Sequence, residues 1–204
     1  MVNRRVLVLG GARSGKSSFA EGLAAVMGGP VLYVATATAL DDEMAERIRQ
    51  HQAQRPEEWR TLEEPVDVAA AVAGGLGDAR TVLVEDLTLL LSNLMVGPDH
   101  DGAPDAAAAV AAEQRACREL DALLRLPVDL ILVSNEVGLG LVPAYPVGRA
   151  FRDALGRLNQ RAAARVAEVY FLLAGLPVPL KSLKSWAETP GWVGKPGEQG
   201  AGDS

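Results

Sequence analysis

"GGARSGKS", residues 10–17, decides the fold. It matches G-x-x-x-x-G-K-[ST], with Gly10, Gly15, Lys16 and Ser17 at the fixed positions. In front of it stands "RVLVLG" (5–10), apolar on both faces, as a strand inside a parallel sheet has to be. Behind it "GKSSFAEGLAAVMG" (15–28) reads as a helix that stops at glycines. In that setting Gly10, Gly11, Ala12, Arg13, Ser14 and Gly15 form a loop whose backbone N–H groups wrap phosphate oxygens. The helix N-terminus adds positive potential. Lys16 then reaches the terminal phosphates, and the Ser17 hydroxyl sits on Mg²⁺. The competing interpretation is a glycine-rich strand–helix turn with no ligand; the match of both pattern and context favours the phosphate loop.

Outward from the loop, short apolar runs alternate with helical patterns. "PVLYVAT" (30–36), "RTVLVED" (80–86), "VDLILVSNE" (128–136) and "EVYFLLAG" (168–175) read as strands, and "WRTLEE" (59–64) as a short extended piece. Helices are expected over 40–55, 65–75, 87–96, 106–126 and 147–166. "LPVPLKS" (176–182) suits an edge strand, where proline is tolerated. The alternation predicts a mostly parallel α/β sheet flanked by helices, a P-loop NTPase of RecA-like type. One domain over 1–183 is expected, with a flexible tail over 184–204, whose glycine, proline and polar content cannot build a core.

Composition narrows the partners. The chain has 204 residues, 49% of them hydrophobic, enough for one sizeable core. Its net charge of −6 leaves no basic footprint for nucleic acid. No apolar run approaches the ~18 residues that span a bilayer. The single cysteine, Cys117, makes neither an internal disulfide nor a metal cage and suits a small buried apolar position. A reduced, cytoplasmic protein is expected. Lys16 is the only lysine in the first 180 residues.

A P-loop also needs an acid at the end of a neighbouring strand. "TVLVED" offers Glu85 and Asp86 as metal partners beside Ser17. Glu85 is nearer the strand end, and Asp86 is also placed to cap the next helix. His51 has two interpretations of its own. Met44, Ile48 and His51 recur at i, i+4 and i+7, which places the histidine on an apolar stripe. Neutral imidazole beside a triphosphate is also a competent nucleophile towards phosphorus. His100, in "GPDHDG", reads as a solvated loop residue.

Three blocks carry a family resemblance: "GGARSGKS", "LYVATATALDDEMAERIRQHQAQRPEEWRTLEEP" and "VSNEVGLGLVPAYPVGRAFRDALGRLNQRAA". Together they resemble the bifunctional adenosylcobinamide kinase / adenosylcobinamide-phosphate guanylyltransferases of cobalamin biosynthesis, over about residues 5 to 181. The resemblance implies phosphorylation of adenosylcobinamide by ATP or GTP. It then implies transfer of GMP from GTP through a histidine-bound GMP, and the matching histidine is His51. It implies nucleotide contacts at Gly10 to Ser17, at Thr36, Ala37 and Thr38, at Gln52, Ala53, Gln54 and Arg55, and at Glu63 and Glu85. Gln52, Ala53 and Gln54 differ in type from the family's residues, so contacts there are expected through the backbone. Where some relatives carry two adjacent histidines, this chain has Gln50 first. The resemblance also implies a homotrimer. A nucleotide-dependent switch of recombinase type, or a kinase without nucleotidyl transfer, remains the alternative.

Overall fold

The computed structural model describes residues 3–37, 56–97 and 106–187. Thr38, the expected helix 40–55 with His51, Gln52, Ala53, Gln54 and Arg55, His100, and everything after 187 lie outside the described residues. The strands are β1 (Arg5–Gly10), β2 (Val31–Ala35), β3 (Arg60–Glu63), β4 (Thr81–Glu85), β5 (Asp129–Asn135), β6 (Glu168–Leu173) and β7 (Leu176–Pro179). The helices are α1 (Lys16–Met27), α2 (Val68–Gly75), α3 (Leu87–Val96), α4 (Ala106–Leu123), α5 (Pro146–Arg165) and α6 (Leu180–Ala187). One sheet runs in the order β3-β2-β4-β5-β1-β6-β7. Every neighbouring pair is parallel except β6 with β7. This is the expected P-loop α/β architecture.

The period of two in a strand sorts the core into two layers. Val6 and Val8 of β1, Val31 and Tyr33 of β2, Leu83 of β4, and Ile131 and Val133 of β5 pack with Ala20 and Ala24 of α1. Leu7, Leu32, Val34, Val82, Val84, Leu130 and Leu132 point the other way, against α2 to α5. Both faces of the central strands are therefore buried, which is why they read as unbroken apolar runs. β3 has no such need. It is an edge strand and three of its four residues are exposed.

The helix expected over 65–75 begins at Val68, the helix expected over 106–126 ends at Leu123, and boundaries also differ at the end of the sheet. The strand expected over 168–175 ends at Leu173, because Ala174 (φ 52°) and Gly175 (φ 80°) make a two-residue turn with both φ positive. Leu173 then pairs with Leu176. The edge strand expected over 176–182 ends at Pro179. Regular helix follows from Leu180 to Ala187.

Candidate functional site

In a parallel sheet the carboxyl ends of the strands share one edge, and ligands bind there. Gly10 ends β1, Glu85 ends β4, and Asn135 ends β5. Thr36 follows β2 directly. The phosphate loop leaves β1 at this edge. Gly10 is forced by space: a Cβ there would lie 2.4 Å from Ser14 Oγ and 3.0 Å from Leu172 O. Gly15 is forced twice, by φ 90° and by Gly175 Cα at 3.2 Å from where a Cβ would stand. Arg13, with φ 55°, is exposed at the tip.

Three backbone bonds hold this loop. Ser14 N donates to Gly11 O at 3.3 Å, Gly175 N to Ser14 O at 2.9 Å, and Glu136 N to Gly10 O at 3.1 Å. The β6–β7 hairpin turn thus braces the loop from one side and the end of β5 from the other. Lys16 opens α1, and no side chain caps that helix. The first N–H groups of a helix without a side-chain cap suit an anion.

Glu85 and Asp86, alike in sequence, have different jobs. The Glu85–Asp86 peptide is cis. Ser17 Oγ donates to Glu85 Oε1. Glu85 Oε2 is buried with no hydrogen-bond partner among the described residues. Burial pushes the Glu85 carboxyl up to about 7; the Ser17 hydroxyl pulls against that, and neighbouring Asp86 adds to it. Asp86 instead caps α3, with Leu89 N donating to Oδ1 at 2.7 Å. Its Oδ2 accepts Asn135 Nδ2 at 3.1 Å. Burial raises its pKa as well, against the bond from Leu89 N and the charge of Lys16.

Thr36 is buried between the two acids. Its Oγ1 accepts Asp86 N at 2.8 Å and lies 2.8 Å from Asp86 O. Asn93 Nδ2 donates to Thr36 O at 2.7 Å. The Thr36 side chain is thus occupied in holding the two strand ends together, and half-buried Ala37 follows it. Glu63 stands on the exposed edge strand in the same row as Glu85, since Ala35 is in register with both. Two strand spacings, roughly 10 Å, separate them.

Several groups here went unread in the sequence. Asn135, Thr88 and Asn93 knit the strand ends, and Gly175 braces the loop. Each acts across at least 28 residues of sequence, so no local pattern announces it. The arginines of α5 resolve individually. Arg157 grips Glu113 with two bonds of 2.8 and 2.7 Å, and Arg161 grips Asp121 at 3.1 and 2.6 Å. Arg149 holds the carbonyls of Pro143 and Ala144 at 2.9 and 2.8 Å. Arg152 has no hydrogen bond or ion pair to a described residue. Cys117 is half-buried, and burial pushes its thiol up, away from the thiolate.

The donor set fits a divalent cation. No cluster of three or more His, Cys, Asp or Glu suits a metal among the described residues. Mg²⁺ does not need one, because it takes one or two protein oxygens and completes its shell with phosphates and water. Ser17 Oγ and the orphaned Glu85 oxygen supply that much. No helix among the described residues is long and apolar enough to cross a membrane.

A parallel sheet, a phosphate loop between β1 and α1, and an acid from a neighbouring strand bonded to the loop's serine define a P-loop nucleoside-triphosphate-binding protein. A family model described as "Cobinamide kinase / cobinamide phosphate guanyltransferase" matches residues 6–180. The chain is 48% identical over 181 residues to a bifunctional adenosylcobalamin biosynthesis protein of Pseudomonas aeruginosa, covering 87% of this chain and 97% of that one. It is 41% identical over 180 residues to the protein of the same description from Escherichia coli, covering 86% and 99%. Among solved structures, the RadB recombinase is similar at a TM-score of 0.40 and 14% identity, over 82% of this chain and 73% of that one. The chain belongs to the cobinamide kinase / cobinamide phosphate guanyltransferase family, a family of transferases.

Proposed function

We propose that this protein phosphorylates adenosylcobinamide with a nucleoside triphosphate and then transfers GMP from GTP to the product, giving adenosyl-GDP-cobinamide. The observation that carries the proposal is the Ser17–Glu85 contact beneath the phosphate loop, within a family match that spans most of the chain.

In the first reaction the acceptor hydroxyl oxygen attacks the γ-phosphorus, the bond to the β–γ bridging oxygen breaks, and a nucleoside diphosphate leaves. The hydroxyl proton passes to water. Lys16 and the loop amides from Gly10 to Ser17 stabilise the charge that gathers on the departing phosphate. Arg13 at the exposed tip adds positive charge. Ser17 and Glu85 would hold Mg²⁺, which when bound neutralises phosphate charge; Asp86, with both oxygens engaged, keeps Glu85 in place from behind. Thr36 and Ala37 fix the floor between the strand ends, and Glu63 extends the same row outward. ATP and GTP both suit the phosphate site, which grips no base.

In the second reaction an imidazole nitrogen of His51 attacks the α-phosphorus of GTP. An N–P bond forms and pyrophosphate leaves. A phosphate oxygen of adenosylcobinamide phosphate then attacks the same phosphorus and releases the histidine. The segment Thr38, Gln52, Ala53, Gln54 and Arg55 supplies the remaining contacts to the guanine nucleotide. Leu139, Leu141, Val142 and Tyr145, exposed by 83, 97, 68 and 76%, crowd one loop, more apolar surface than isolated side chains explain. That loop supports assembly as a homo-oligomer, a trimer by family resemblance. The single cysteine, which can form no internal disulfide, and the bacterial biosynthetic relatives support a cytoplasmic enzyme.

The test is direct. Purified protein, adenosylcobinamide and ATP or GTP with Mg²⁺ should yield phosphorylated corrinoid, and GTP should then convert it to the GDP derivative. Nucleotide hydrolysis with no change in the corrinoid would refute the proposal.

A further inference from the structure

A cleft of about 310 Å³ opens between the end of β5 and the face of α5, and one of its lining residues, Glu136, bonds through its N–H to Gly10 O of the phosphate loop. Glu136, Arg152, Asp153, Gly156, Arg157 and Asn159 line it. We propose that this cleft is a subsite for a neutral primary-amide arm of the corrinoid acceptor. The proposal rests on the acceptor assigned above.

Two independent observations point to a ligand. The first is Asn159, which is only 6% exposed. Its Nδ2 donates to Asn135 O at 3.0 Å. A carbonyl needs a donor opposite it, which fixes the amide orientation and leaves Oδ1 on the other side. Oδ1 is buried with no partner among the described residues. A buried acceptor left unmet is costly, and a donor on a ligand in the cleft would satisfy it.

The second is Gly156, in the interior of a helix of 20 residues. Glycine is the poorest helix former after proline. No packing demands it, because a Cβ at this position would meet nothing within 4 Å. What a missing side chain does preserve at Gly156 is the width of the cleft.

Charge selects the class of ligand. Glu136 and Asp153 face Arg152 and Arg157, so the cleft is balanced, and Arg157 is already held by Glu113. A phosphate dianion would meet two carboxylates here. A primary amide carries no charge and offers both functions, N–H groups for Asn159 Oδ1 and a C=O for Arg152, which pairs with no described residue. Cobinamide carries several such amides around its ring and one hydroxyl-bearing arm. The position suits this division. Asn159 bonds to the last residue of β5, Asn135 is in register with Gly10, and Glu136 N donates to Gly10 O at 3.1 Å. An amide anchored in the cleft holds the ring beside the phosphate loop, with the hydroxyl arm free to approach it.

Gly156→Leu tests this without burdening the fold, since leucine is the better helix former and has room. The full-length protein is assayed for its KM for adenosylcobinamide in the phosphorylation reaction and for its affinity for a fluorescent GTP analogue. The expected result is a corrinoid KM raised about ten-fold or more, the loss of roughly one good hydrogen bond and its packing, with GTP affinity unchanged. An unchanged corrinoid KM overturns the subsite while leaving the kinase assignment intact. Failure of the unsubstituted protein to phosphorylate cobinamide overturns both. Cobinamides with a single amide hydrolysed to carboxylate check the ligand class. One isomer should bind the unsubstituted protein poorly and lose no further affinity in Gly156→Leu. Equal binding of all isomers overturns the amide assignment.

Discussion

Ser17 and Glu85 meet across the gap between the first turn of α1 and the end of β4, the serine hydroxyl donating to one carboxylate oxygen while the other oxygen is buried with no partner among the described residues. Sixty-eight residues of sequence separate them. Their contact ties the phosphate loop to the acid proposed to serve a metal-bound triphosphate. Glu85→Gln keeps the size of the side chain and removes its charge. It should lower kcat for corrinoid phosphorylation by about 10²-fold, the scale of losing one charge-stabilising group, and Ser17→Ala should do likewise. Steady-state kinetics at saturating Mg²⁺ nucleotide check this. Activity retained in Glu85→Gln would place the metal elsewhere.

The same carboxylate predicts a pH dependence of stability. Its folded pKa of about 7 lies above the ordinary 4.5, so between those values the native state holds a proton that the unfolded chain has released. Stability from this group is therefore fully present below 4.5 and is lost as pH rises through about 7, a change of about 3 kcal/mol. Denaturant unfolding of the nucleotide-free, metal-free protein should show Glu85→Gln stabilising at pH 8 and close to neutral at pH 5. The opposite order would mean that Glu85 is ionised and paired in the folded state.

Asp86 should behave as a structural acid. Asp86→Ala removes the cap on α3 and the partner of Asn135, and should cost about 1–2 kcal/mol in denaturant unfolding. Its effect on kcat should be smaller than that of Glu85→Gln. A larger effect would assign the metal to Asp86.

Gly175 braces the phosphate loop through its N–H and occupies φ 80°. Gly175→Val puts a β-branched side chain in the left-handed region, at a cost of about 1–2 kcal/mol. Nucleotide affinity should fall with stability, because Ser14 loses its support. Equilibrium titration with a fluorescent nucleotide reads this, and unaltered affinity would show that the hairpin does not position the loop.

These residues also mark what the sequence made legible. Gly10, Gly15, Lys16 and Ser17 lie within one short loop, and their spacing alone was enough to place β1, the loop and α1. The two-faced apolar runs of β2, β4 and β5 announced a parallel sheet for the same reason: burial leaves its record in consecutive residues. Glu85 and Asp86 were not separable, because which of two adjacent acids turns towards Ser17 depends on the strand's register with its neighbours. The partners of Arg157 and Arg161 on α5 are Glu113 and Asp121 of α4, 40 residues or more away in sequence, so no local pattern pairs them. Asn159 and Gly175 act only through tertiary contact. His51 was a case of two fitting patterns, an apolar stripe and a nucleophile, and the family block rather than periodicity favoured the second.

The central claim is that GMP passes through His51, and the most direct measurement is covalent labelling. Protein incubated with Mg²⁺ and GTP labelled at the α-phosphate should retain label through denaturation, with the acid lability and alkali stability of an N–P bond, and His51→Ala should retain none. Absence of label on the unsubstituted protein, or label that persists in His51→Ala, would contradict the account.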